Sequence, residues 1–348
     1  MEFSEEMLTN LAIPLMLLIS NPIDSGVGVD VNSSIDDVGI NEVFLAAVDN
    51  NGKSYHWDKI LPLFERENAL DIKPTFYPEI SIKVETQFAP GICTSVNLVR
   101  ELVVWLRSKG YSKDKITIFD NERQGLVKAG FLTEDPNDHF FEGVRVFDSS
   151  TKEYFQSDWF HESPLPPTSF DRAKFVLKFP DNLFLRTQEE RRSYLPARVL
   201  GDVFWINLAV PMDDPFLGID GASANMTLGA MSNYGRFSNK TTLSAATVTE
   251  VLAIPEIWEK KLFSILDFST FQVANGQRYD SFYASNQNAI FIGRNPIVLD
   301  YYAWKIINKE RKLKHGLQER FIDDSLLFKY ANELGLGDTA KFNAKRIR

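Results

Sequence analysis

The chain has 348 residues, 44% of them hydrophobic and 13% aromatic, which suffices for a large core in one α/β domain or two. A formal net charge of -9 leaves no excess of Lys and Arg to neutralise phosphates, so no nucleic-acid partner is expected. Cys93 is the only cysteine, which rules out an internal disulfide and a zinc or iron–sulfur centre held by several of the chain's own thiolates.

The first apolar run, Leu8–Ile19, is interrupted by Pro14 and falls short of the roughly 20 residues that cross a bilayer. It has the length of a signal-peptide core, but Glu2, Glu5 and Glu6 stand where positive charge is expected. It reads as an extension packed on the body, with a targeting or membrane-surface role as the alternative, and Leu11–Ile19 is a candidate contact for an oligomer. No transmembrane segment is expected, and a cytoplasmic location is favoured over export through a leader lost upstream.

Gly26–Gly39 is small and polar and reads as loop. Glu42–Val48 is a buried-strand pattern, and Tyr55–Leu70 has near-helical apolar spacing. Ile80–Val84 predicts a strand. Thr94 opens an amphipathic helix that Gly110 stops. Lys115–Asp120 predicts the next strand and Arg123–Gly130 a short helix. This βαβα succession implies a parallel sheet with right-handed crossovers. Ligands in such sheets sit beyond the strand C-termini, which points at the loops Thr86–Thr94 and Asp120–Arg123.

Residues 133–200 read as a loop-rich, aromatic insertion, with a strand at Phe175–Phe179 and a charged turn or short helix at Gln188–Ser193. Val203–Ala209 is the central buried strand. Helices are predicted at Ser244–Leu252 and Glu256–Leu262, broken by Pro255, and strands at Phe263–Asp267 and Ala289–Ile292. A helix at Pro296–Asn308 starts on proline. A last helix spans about Glu319–Leu334, and the basic tail KFNAKRIR reads as a solvated terminus. The expected organisation is an extension over 1–40, an α/β domain over 41–316 and a C-terminal helix with tail over 317–348. The fold class is α/β: a mainly parallel, doubly wound sheet with helices on both faces.

Four segments resemble the domain-of-unknown-function 362 family, in the family's order. They are ISIKVETQFAPGICTSVNLVRELVVWLRSKGYSKDKITIFD, then FWINLAVP with TLGAMSNYGRF, then KLFSILD, then AIFIGRNPIVLDYYAWKII. The resemblance implies an α/β fold and a central site. Such proteins usually have lysine where this chain has Ser232, Lys and His where it has Met212, Asp213 and Asp214, and histidine where it has Ser238. The titratable groups implied for the pocket are therefore eroded, while Asn207, Thr227, Asn233, Gly235, Arg236, Asp267, Asn295 and Asp300 remain. Some members carry Cys-rich iron–sulfur modules, which this chain cannot supply.

The ligand-contacting residues expected are Asn207, Asn225, Thr227, Ser232, Asn233, Arg236, Thr94 and Asp120. Asp213, Asp214 and Asp220 form a candidate Mg²⁺ or Ca²⁺ cluster with oxygen ligands from Asn225 and Thr227, or else a polar surface loop. Arg236 either anchors an anion or pairs with Asp213, Asp214 or Asp267. None of the histidines at 56, 139, 161 and 315 lies in a catalytic motif, and there is no G-x-G-x-x-G or P-loop. Two functions stay open. One is binding of a small anionic or polar ligand. The other is an enzyme on a small anionic substrate, metal-dependent or not, with Arg236 as anchor and Asp214 or Asp267 as acid–base group or metal ligand.

Overall fold

The computed structural model describes residues 42–48, 54–152, 154–163, 165–321, 325–339 and 343–347. The run Leu8–Ile19 and the loop Gly26–Gly39 lie outside the described residues.

Two-residue alternation sends side chains to both faces of one large sheet. In β1 (Glu42–Ala47), Val43 and Leu45 join one core, while Phe44 and Ala46 join the other. β2 (Glu79–Lys83), β3 (Ile116–Phe119), β4 (Phe140–Phe141) and β5 (Val144–Phe147) follow in the same sheet. β6 (Phe155–Glu162) and β7 (Arg192–Pro196) pair as a separate antiparallel ribbon. β8 (Val203–Ala209) returns to the large sheet, and β9 (Met212–Asp214) and β10 (Gly218–Asp220) make a small hairpin beside it. β11 (Lys261–Asp267) enters the large sheet. β12 (Phe271–Gln272) and β13 (Ala284–Ser285) extend the hairpin's sheet. β14 (Ala289–Gly293) and β15 (Asn343–Ile347) complete the large one.

Its nine strands run β15-β1-β14-β11-β8-β2-β3-β5-β4. All but β14 and β4 point the same way, so the sheet is mostly parallel. Helices Trp57–Glu67 and Val96–Ser108 press Leu61, Phe64, Leu98, Leu102 and Leu106 onto one face. Helices Thr241–Leu252, Pro296–His315 and Leu326–Glu333 press Ala245, Val248, Ile297, Ile307 and Leu327 onto the other. The fold is α/β and doubly wound, with apolar strands between two helical layers. No helix among the described residues is long and apolar enough to cross a membrane.

Several elements differ from the sequence expectation. Phe175–Phe179 is no strand: it falls at the end of helix Ser169–Lys178, where Thr168 accepts the Asp171 amide as N-cap. A short apolar run fits strand and helix alike, and the cap decides. The helix expected at Glu256–Leu262 shrinks to Pro255–Trp258, because Lys261 already pairs with Trp205 in the sheet. Helix Pro296–His315 runs beyond Asn308 until Gly316 turns left-handed at φ 62. The last helix covers Leu326–Glu333 only. The basic tail is an edge strand rather than a solvated end: β15 lies parallel to β1, and Lys345 reaches Glu42 at 2.7 Å and Glu67 at 3.2 Å. Part of the 133–200 insertion is sheet, since β5 pairs with β3. The remainder is the β6–β7 ribbon with two helices between, Ser169–Lys178 and Leu183–Arg191, neither of which buries a side chain.

Candidate functional site

β2 departs from its neighbours on one face. Ile80, Ile82 and Val84 enter the apolar core, but Ser81 and Lys83 occupy the opposite face, buried at 0% and 1% exposure. Register sets Lys83 beside Asn207 of β8, and Asn207 beside Ser264 of β11. A polar row thus crosses three central strands at one level. A buried ammonium must have partners, and Lys83 Nζ donates to Val84 O (2.7 Å), Asp120 Oδ1 (2.7 Å) and Asn225 Oδ1 (2.8 Å). These use all three of its protons.

The short helix Ala222–Met226 is fastened over this row. Asn207 Nδ2 donates to Ala222 O (2.9 Å) and Ser264 Oγ (3.2 Å), and Asn225 Nδ2 donates to Asn207 Oδ1 (2.8 Å). At the helix start, Asp300 accepts the amides of Ala222 (2.6 Å) and Ser223 (2.8 Å) and the Ser223 hydroxyl. Burial pushes the Asp300 carboxyl up to about 7, against the pull of those hydrogen bonds. Gly221 is required here, because a Cβ would run into Asp300 Oδ1.

Beyond the C-terminal ends of β2 and β3 lies a cavity of about 680 Å³, within the range of small-molecule sites. Lys83, Glu85, Asp120, Asn225, Asp214 and Asp220 border it from the sheet side, and Ser232, Asn233 and Tyr234 from the central loop. Phe155, Asp171, Phe175 and Tyr194 of the insertion form the opposite wall. Glu85 is 6% exposed, and its Oε2 accepts the Val210 amide at 2.8 Å. Burial raises its carboxyl well above the usual range, and the Asp220 charge adds to that. The Asp220 carboxyl accepts no hydrogen bond from any described residue; burial, then the charges of Asp214 and Asp300, push it up to about 8. Asp214 accepts the amides of Phe216 (2.8 Å) and Leu217 (2.7 Å) through Oδ1 and is raised by burial.

Of the residues singled out from the sequence, Asp120, Asp214, Asp220, Asn225, Ser232 and Asn233 border the cavity. The others do not. Thr94 is a structural link, donating to Leu208 O (2.8 Å) and accepting the Glu85 amide (2.7 Å). Asn207 lies beneath the short helix, and Thr227 donates to Ser223 O at 2.8 Å. Asp267 sits at the end of β11, against Tyr55 Oη (3.2 Å) and the Ser269 amide (2.8 Å). Arg236 neither borders the cavity nor pairs with a described carboxylate: Nη1 donates to Leu165 O (3.0 Å) and Nη2 to Glu190 O (2.6 Å). Ring His161 packs on Phe237, and His139 lies outside the cavity. Burial pushes the Cys93 thiol up to about 11, the reverse of what a nucleophile needs.

The aspartate trio is also divided. Register in the hairpin puts Asp220 opposite Met212 and Asp214 opposite Gly218, so alternation turns Asp213 to the far side. Asp213 lies between Arg311 and Arg320, each at 3.2 Å. Among the described residues no three His, Cys, Asp or Glu side chains are grouped to hold a metal ion. Lys83 and Glu85 are the charged site residues on the sheet side that were not singled out from the sequence. The available signal was ISIKVE, a central strand with charges at alternate positions, where an unpaired charge is not tolerated.

No protein-family model and no curated protein matches the chain. Among solved structures it is similar to the crystal structure of a protein from Thermotoga maritima, with a TM-score of 0.31 and 12% identity over 66% of this chain. The match spans 54% of that protein. A likeness of this degree carries no functional argument.

Proposed function

We propose that the chain binds a small polar ligand in this cavity, seating a cationic or hydrogen-bond-donating group against Glu85 and Asp220. One observation carries the reading: two neighbouring carboxyl groups face the cavity, while the nearby lysine is fully engaged by Val84, Asp120 and Asn225. Lys83 has no proton left for them, so an arriving donor or cation supplies what they lack. The segment that resembles the domain-of-unknown-function 362 centre supports the same location, since Leu228, Gly229, Met231, Ser232 and Asn233 all border the cavity.

An enzymatic reading has its own support. A carboxyl held at about 8 exchanges a proton near neutral pH, which suits Asp220 to general acid–base work. Arg236 and Asp267 take no part in it, being committed elsewhere.

The test is native mass spectrometry of gently purified protein against its denatured mass, followed by calorimetric titration with Mg²⁺, Ca²⁺ and a panel of primary amines. An adduct or a saturable titration that disappears in Glu85→Gln/Asp220→Asn supports the reading. Binding that survives the double variant, or no binding by any probe, rejects it.

A further inference from the structure

On the far side of the β9–β10 hairpin lies a second pocket of about 450 Å³, bordered by Arg278, Arg311 and Arg320. Two acidic side chains accompany them, Asp213 and Asp280, so the cluster carries three positive charges against two negative in a chain whose net charge is -9. Asp280 is already committed, accepting Asn275 Nδ2 at 3.0 Å and the Phe282 amide at 3.1 Å. Asp213 is 1% exposed, and neither of its oxygens meets the geometry of a hydrogen bond. It balances charge from behind without consuming the guanidinium donors.

Those donors are largely spare. Arg311 spends Nη1 on Val273 O (2.7 Å) and Nε on Gln318 O (3.4 Å), which leaves Nη2. Arg320 spends Nη1 on Asp214 O (2.7 Å), which leaves Nε and Nη2 without a described partner. The Arg278 side chain is exposed and makes no hydrogen bond or ion pair with a described residue.

The wall that carries Arg278 is built rather than incidental. Fully buried Gln272 donates to Asn275 O (3.1 Å) and Arg278 O (2.9 Å) and accepts the Asp280 amide (2.8 Å). One amide thus fastens the loop at three points. The loop also lies directly on β9, where a Cβ at Gly276 would collide with Asp213 O.

We infer that this arginine pocket binds a phosphate group, free or as a monoester, on the spare donors of Arg278, Arg311 and Arg320. Planar guanidinium forks match two oxygens of a phosphate at once, which a lysine cannot do. The pocket lies across the hairpin from the carboxylate cavity, so the inference stands whether or not that cavity binds a ligand.

The test is calorimetry with inorganic phosphate and, in a separate arm, glycerol phosphate, each against chloride at matched ionic strength. Saturable binding at one site per chain is expected. Tighter binding of the ester than of inorganic phosphate identifies a phosphorylated metabolite as the class; the reverse identifies the free ion. Arg278→Ala should weaken binding about tenfold, the usual effect of one charged hydrogen bond, and Arg278→Glu should abolish it. The Arg278 side chain is exposed and has no hydrogen bond or ion pair with a described residue, so both variants should fold as the parent does, which a thermal melt checks. Phosphate binding no stronger than chloride, or unchanged in Arg278→Glu, overturns the inference.

Discussion

Replacing Lys83 with methionine tests the polar row at its centre. The side chain is 1% exposed, and its ammonium lies 2.7 Å from Asp120, itself 9% exposed at the side chain. Methionine keeps the length and removes the charge. Breaking a buried pair from one side costs about 3–5 kcal/mol, because the remaining charge is stranded. Asp120 still accepts the Thr86 amide (2.9 Å), the Thr86 hydroxyl (2.5 Å) and the Asn121 amide (2.8 Å), which holds its share near the lower end. Val84 O and Asn225 Oδ1 also lose a donor, at about 1 kcal/mol or more each. A total of about 5 kcal/mol follows from these principles. Urea unfolding monitored by tryptophan fluorescence measures it. Adding Asp120→Asn removes the stranded charge, so the double variant should recover on the order of 2 kcal/mol. A single-variant loss below about 1 kcal/mol, or a double variant no more stable than the single, refutes the argument that the pair is buried and mutually dependent.

Asp220→Asn should flatten the dependence of stability on pH. The carboxyl rises from its ordinary 3.8 to about 8 in the folded chain, so folding favours the protonated form. That contribution is complete below pH 3.8 and is lost as pH rises through about 8. Between pH 5.5 and 8.5 the parent should lose more stability than the variant in paired urea titrations; parallel curves would put Asp220 in contact with solvent. Arg236→Ala should loosen the insertion locally, since Leu165 O and Glu190 O lose their donors at a cost on the order of 2–4 kcal/mol. Limited proteolysis should then cut sooner within residues 165–192, and an unchanged cleavage rate would count against the clamp.

Local pattern carried much of the architecture. Alternating apolar residues in Glu42–Val48, Ile80–Val84 and Val203–Ala209, and the helical spacing of Val96–Ser108, come from a period that the backbone imposes on any buried strand or helix. Proline and glycine punctuation marked ends such as Pro296 and Gly130 in the same way. Those signals reside in consecutive residues, and so does the polar loop that brings Asn225, Ser232 and Asn233 to the cavity.

Other features depended on which segments meet. Residues 175–179 form a helix end because Thr168 caps it, and the basic tail forms a strand because β1 offers an open edge. The site divides along the same line. Asp213 and Asp214 are neighbours in the chain, yet hairpin register sends them to different pockets. Arg236 reads as the obvious anchor for an anion, and the folded insertion consumes it with backbone carbonyls. Lys83 meets Asp120 and Asn225 across separations of 37 and 142 residues. The sequence determined by itself which segments form strands and helices, and which loop carries polar side chains, because these follow from local periodicity and turn chemistry. Only the tertiary structure decided which charges are spent and which stay available, because that depends on strand order and register between segments far apart in the chain.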